Sequence, residues 1–120
     1  MLFKKNPFDQ LAEQLKAFSD PNRIRIIALL MKGEKTATQL NKEIHVCQPT
    51  LSHHMKVLCA TGLVACRKEG VRCFYRMNTE NMRALSRHLS ALADYNDRVM
   101  QGEELPDPPG LMLGFYDQKD

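Results

Sequence analysis

The run QPTLSHHMKVL, residues 48–58, places Leu51, Met55 and Leu58 at intervals of 4 and 3, one apolar stripe of a helix. Pro49 falls in its first turn, where a missing backbone N–H costs nothing. With that stripe turned inward, the opposite face carries Gln48, Thr50, Ser52, His53 and Lys56. His54 borders the apolar side, between Leu51 and Leu58, and reads as a hydrogen-bonded, partly buried residue. Ala60-Thr61-Gly62 ends the helix.

Downstream, Leu63–Lys68 and Val71–Met77 read as strands joined across Glu69-Gly70, a hairpin signal. Asn78 or Thr79 then caps a long helix reaching about Met100. Its residues Met82, Leu85, Leu89, Leu92, Asn96 and Val99 make a narrow seam suited to pairing with another helix. Upstream, Thr36 caps a short helix, Ala37–Ile44, with Leu40 and Ile44 inward and a break at His45-Val46. Before it, Asp20-Pro21 opens a helix whose stripe is Ile24, Ile27, Ala28 and Leu30 or Met31, with Gly33 at its end. Phe8, Leu11, Leu15 and Phe18 mark a first helix. The order α-α-α-α-β-β-α, mainly α with a small β-hairpin, describes a winged helix-turn-helix.

Composition sets the outer bounds. The chain has 120 residues, 43% hydrophobic and 26% charged, which suits one globular domain. Residues 1–100 form that domain and residues 101–120 an acidic tail containing Pro and Gly. The longest apolar run, Ile26–Met31, is far short of the ~20 residues of a membrane helix, and no signal-peptide pattern opens the chain. These features predict a cytoplasmic protein with no membrane partner. The tail holds five acids against Lys119, a net −4, so the formal +3 of the whole chain becomes +7 on residues 1–100. Within residues 48–76, Lys56, Arg67, Lys68, Arg72 and Arg76 face only Glu69, a cluster that suits a polyanion.

The run Gln48–Leu58, followed by Gly62–Val64 and RKEG at Arg67–Gly70, resembles the ArsR/SmtB family of bacterial repressors. FSDPNRIRIIALL, Phe18 to Leu30, resembles that family's second helix. The resemblance implies a homodimeric transcriptional repressor that leaves its operator when an inducer, often a metal ion, binds. It also implies that the first and last helices build the dimer, here through Phe8, Leu11, Leu15, Leu85, Leu89, Leu92, Asn96 and Val99. Double-stranded operator DNA would then meet Gln48, Thr50, Ser52, His53 and Lys56 in the major groove and Arg67, Lys68 and Arg72 of the wing at the backbone or minor groove. The operator expected is an imperfect palindrome. The competing readings are an ArsR-type regulator without metal sensing and a winged-helix interaction protein that no longer binds DNA. His45-Val46-Cys47 sets a His near a Cys but with no third group or glycine-rich loop, so no enzyme is expected.

The arsenic-type members carry Glu-Leu-Cys-x-Cys where this chain has Glu34-Lys35-Thr36-Ala37-Thr38, and Thr is a poor ligand for soft metals. The zinc-type pattern on the last helix is reduced to His88 with Asp94 and Asp97. No cofactor is therefore assigned, and a soft metal or metalloid ion such as arsenite remains only a candidate inducer. Cys47, Cys59, Cys66 and Cys73 remain, expected as free thiols in a reducing compartment. Each is compatible with being a small apolar filler. All four lie in or beside the DNA-reading unit, and a two-residue turn at Glu69-Gly70 would set Cys66 opposite Cys73. They are the candidate sensing residues for a soft metal or metalloid, an oxidant or a sulfur species.

Overall fold

The computed structural model describes residues 7–106; the side chain of Phe8 and the tail beyond residue 106 lie outside the described residues. Helix α1 (Pro7–Leu15) runs into a 3-10 turn (Lys16–Phe18), then α2 (Pro21–Leu30), strand β1 (Lys35–Thr36), α3 (Ala37–Ile44), α4 (Gln48–Ala60), β2 (Val64–Glu69), β3 (Arg72–Met77) and α5 (Thr79–Met100). The sheet is antiparallel in the order β1-β3-β2. A two-residue β1 shows no alternation to read, so the sequence offered only the hairpin.

Local chemistry sets the boundaries. Asp20 caps α2 by accepting the N–H groups of Asn22 (2.8 Å) and Arg23 (3.4 Å). Thr36 opens α3 in a capping box with Gln39. His45 ends α3 in the left-handed region, φ 59°, while Asn41 Oδ1 accepts the Val46 N–H at 3.0 Å. That bend turns the chain from α3 into α4.

The core gathers where α2, α3, α4 and the sheet meet, with Ile26, Leu40, Leu51, Leu58 and Leu63 fully buried. The α2 stripe differs from expectation: Ile26, Ile27 and Leu30 are buried, whereas Ile24 and Met31 are exposed and so is Ala28. The inward set is Arg23, Ile26, Ile27 and Leu30, a helical stripe whose first member is charged and therefore invisible to an apolar pattern.

The hairpin register also differs. Glu69 pairs with Arg72, so the turn is Gly70-Val71 rather than Glu69-Gly70. Gly70 has φ 63°, and a turn with glycine at its first central position needs left-handed backbone there alone, whereas the expected turn would have imposed it on Glu69. Cys66 consequently faces Tyr75, and Cys73 faces Lys68. The shift of two residues leaves both cysteines on one face of the ribbon but sets them diagonally. Among the described residues no helix is long and apolar enough to cross a membrane.

Candidate nucleic-acid interface

Helix α4 divides as its spacing requires. Leu51, His54, Met55 and Leu58 are buried, while Gln48, Thr50, Ser52, His53 and Lys56 are all exposed on the other side. Those outward groups are donors and acceptors of the length that reaches base edges, with one cation for a phosphate. Cys47 is the N-cap, at the positive end of the helix, and Pro49 stands in the first turn.

A polar link holds α4 against the start of α2. Arg23 Nη1 donates to His54 Nδ1 at 3.0 Å, Nη2 donates to Ser19 Oγ at 2.9 Å and Nε donates to the Lys16 carbonyl at 3.1 Å. A guanidinium only donates, so Nδ1 accepts and the ring proton sits on Nε2, 3.8 Å from Asp20 Oδ1. His54 is the buried, bonded residue expected, but its partner Arg23 lies 31 residues away and no local pattern announces it.

The wing's charges are not equivalent. Arg67 gives Nη2 and Nε to the two oxygens of Glu34 (2.8 and 3.3 Å), gives Nη1 to Glu69 (2.6 Å), and lies over the Phe74 ring at 4.6 Å. The hydrogen bonds to Glu34 and then Glu69 push the guanidinium pKa up, and the same contact with Arg67 lowers that of Glu34. Two carboxylates thus neutralise the Arg67 side chain and fasten β2 to the turn before β1. Lys56, Lys68 and Arg72 are exposed and take part in none of the domain's salt bridges among the described residues, although Arg72 also lies 5.4 Å from the Phe74 centroid. Nothing in the sequence marks Glu34 as the partner of Arg67, because their separation of 33 residues hides the pair from any windowed reading.

The four cysteines occupy three environments. Cys47 is exposed, and its Sγ lies 3.1 Å from Thr50 Oγ1, a hydrogen bond that lowers the thiol pKa with help from backbone N–H groups. Cys59 is half-buried, and burial pushes its pKa up. Cys66 and Cys73 are joined as a disulfide, with Cα atoms 6.1 Å apart. The expectation of free thiols holds for Cys47 and Cys59 only; the diagonal geometry of the true register brings the other two within bonding reach. No group of three or more His, Cys, Asp or Glu side chains suited to a metal ion occurs among the described residues.

Of the residues expected at a helix-to-helix seam, Leu85 is 3% exposed and belongs to the protomer's own core, and Leu11 packs against that core. Leu15, Leu89 and Val99 are 38–42% exposed, Leu92 is half-buried and Asn96 is exposed, so most of α5 lacks a partner within the protomer.

A family model described as bacterial regulatory protein, arsR family, matches residues 20–65. The arsenical resistance operon repressor of Staphylococcus xylosus is 39% identical over 85 residues, covering 71% of this chain and 82% of that one. The repressor of the same description from Staphylococcus aureus is 36% identical over 93 residues, covering 78% and 89%. Among solved structures, an ArsR-like transcriptional regulator from Rhodococcus sp. RHA1 superposes with a TM-score of 0.71 at 26% identity, covering 78% of this chain and 89% of its own.

Proposed function

The chain belongs to the ArsR family of bacterial transcriptional repressors, and from that premise we propose that it binds an imperfect palindromic operator as a homodimer and is released by a thiol-reactive signal. The observation that carries the DNA reading is the outward row Gln48, Thr50, Ser52, His53 and Lys56 on a helix whose other side is buried. Gln48 is suited to reading an adenine edge, Ser52 and His53 to bases or phosphate, and Lys56 to phosphate. Lys68 and Arg72 add wing contacts. Two such units related by a two-fold axis enter major grooves roughly 34–36 Å apart, or a multiple of that.

The exposed apolar residues Leu89 and Val99 on α5 support the second copy of this chain as their cover. The inducer reading draws on the thiols: Thr stands at both positions where the arsenic-type motif has Cys, so sensing falls to Cys47, Cys59, Cys66 or Cys73. An electrophoretic shift with the DNA upstream of the protein's own coding region tests the proposal. Binding that weakens steeply as salt rises is expected, because phosphate contacts release counterions. A protein with no preference for any duplex in dilute buffer would instead be a winged-helix interaction module.

A further inference from the structure

We propose that Cys66 and Cys73 form a thiol–disulfide switch in the wing, closed by a hydroperoxide, and that closure weakens operator binding. The inference rests on the DNA-binding reading above and narrows its signal to one pair of sulfurs and one chemistry. Three observations support it.

The first is geometric. Cys66 faces Tyr75 and Cys73 faces Lys68, so the two sulfurs share a ribbon face on a diagonal whose Cα separation is 6.1 Å. That lies within the ~4.4–6.8 Å that a disulfide spans, so the bond needs no backbone displacement. The second is chemical. Lys68 is directly opposite Cys73 and two residues from Cys66, and Arg72 adjoins Cys73. Lys68 shares the ribbon face of the two sulfurs and forms no salt bridge among the described residues, so that face carries an uncompensated positive charge, whereas Arg72 lies on the other face beside Phe74. The third is a matter of ligand number. With no cluster of three or more metal-ligating side chains among the described residues, the wing offers two sulfurs alone, which suits a dithiol–disulfide couple rather than a closed metal site.

The step balances without further reagents. The thiolate of Cys66, the more exposed of the two, attacks one peroxide oxygen. The O–O bond breaks, an alcohol (or water, from hydrogen peroxide) leaves, and a sulfenic acid remains. The half-buried Cys73 thiol then attacks that sulfur; the S–O bond breaks, water departs and the S–S bond forms. Two thiols lose two electrons and two protons, and the hydroperoxide takes up both. An external dithiol reverses the step by exchange.

Closure acts on the wing because of the face it occupies. Val64 and Tyr75, on the same side of the ribbon as the pair, pack toward the core, and Tyr75 lines a cavity of about 170 Å³ with Gln48, Leu51, Ser52 and Met55 of α4. The bond fixes this diagonal at a Cα separation of 6.1 Å and so limits how far the tip, with Lys68 and Arg72, can twist relative to the rest of the domain. The open dithiol frees a two-stranded ribbon to twist along the phosphate backbone.

The test measures fluorescence anisotropy of a duplex from the protein's own upstream region, with full-length chain reduced by dithiothreitol or treated with hydrogen peroxide. Intact mass and peptide mapping monitor the bond. Expected are loss of two hydrogens at the Cys66–Cys73 peptide pair, a fall in affinity on the order of tenfold with a shallower salt slope, and recovery on reduction. The double variant C66S/C73S, and a second pair C66A/C73A as a folding control, should bind like the reduced protein and ignore peroxide, while C47S and C59S respond as wild type. A closed bond with unchanged or higher affinity, or a peroxide response surviving in both double variants, overturns the switch. Reduced wild type that binds no duplex overturns the DNA reading instead, and failure of the bond to form under peroxide overturns the switch in that case too.

Discussion

Alanine at Lys56 and at Arg67 should separate two cations that the sequence presents as equals. Among the described residues each protomer offers three cations without a salt bridge on the proposed DNA-facing parts, Lys56, Lys68 and Arg72, because Arg67 is held by Glu34 and Glu69. Six in a dimer predict a slope of log K against log salt of about −5.4, at −0.9 per phosphate contact. Lys56→Ala removes two contacts and should bring the slope to about −3.6. Arg67→Ala should leave it near −5.4, since its charge was never available, while loosening the junction of β2 with the turn before β1. Were Arg67 a phosphate ligand, wild type would show about −7.2 and the variant would lose as much as Lys56→Ala. Anisotropy titrations of one operator fragment at five potassium chloride concentrations read both slopes. Equal losses in the two variants would refute the reasoning, because the Glu34–Arg67–Glu69 arrangement could not then persist on DNA.

His54→Ala removes the acceptor of a charged donor inside the domain and should cost about 1.5–3 kcal/mol; urea unfolding at fixed protomer concentration reads it, and a loss below about 0.5 kcal/mol would mean the Arg23 link is idle. Glutamate at Leu89 and Leu92 should yield monomers by sedimentation and abolish tight operator binding, because both residues lie on the open side of α5; persisting dimers would place the interface elsewhere. Cys47 should be alkylated by iodoacetamide at lower pH than Cys59, since the Thr50 hydrogen bond lowers one thiol pKa and burial raises the other. Thr50→Val should move the Cys47 profile to higher pH. Identical profiles for the two thiols in the wild type would remove the basis for ranking them.

What the sequence made legible were features whose cause is local. The α4 stripe, the Asp20 and Thr36 caps and the break at His45 each depend on residues within one or two turns, and each stands where spacing put it. The hairpin was legible as a hairpin, but its register was not. Gly70 suits either central position of a two-residue turn, and only the pairing of Glu69 with Arg72 decides between them. The α2 stripe departs from the apolar spacing because Arg23, half-buried against His54, occupies its first inward position, and a charged residue there leaves no mark on an apolar pattern. In sequence, adjacency alone makes Arg67 look equivalent to Lys68 and Arg72. Its partner Glu34 lies on a different element, so the distinction between a structural and an available cation needed the third dimension.

These non-local links determine how the proposed DNA-reading surface is held. Hydrophobic burial of Leu51, Met55 and Leu58 fixes which side of α4 faces inward, but apolar contact is non-directional and tolerates sliding along the helix axis. The Arg23–His54 hydrogen bond, itself anchored to Ser19 and the Lys16 carbonyl, supplies the direction that packing lacks. On the other flank, Tyr75 of β3 contributes to the small cavity beside Gln48 and Ser52, so the wing bears on the outward residues from the sheet side. A perturbation at Asp20, Arg23 or the Cys66–Cys73 diagonal is therefore expected to act on the proposed recognition surface without touching a residue proposed to meet DNA. Arg23→Gln, which retains a donor but not the charge or the fork, should weaken operator binding while leaving the salt slope unchanged, because position is lost and no phosphate contact is. A slope reduced in proportion to the affinity would show that Arg23 meets phosphate itself, and the anchoring role would have to be abandoned.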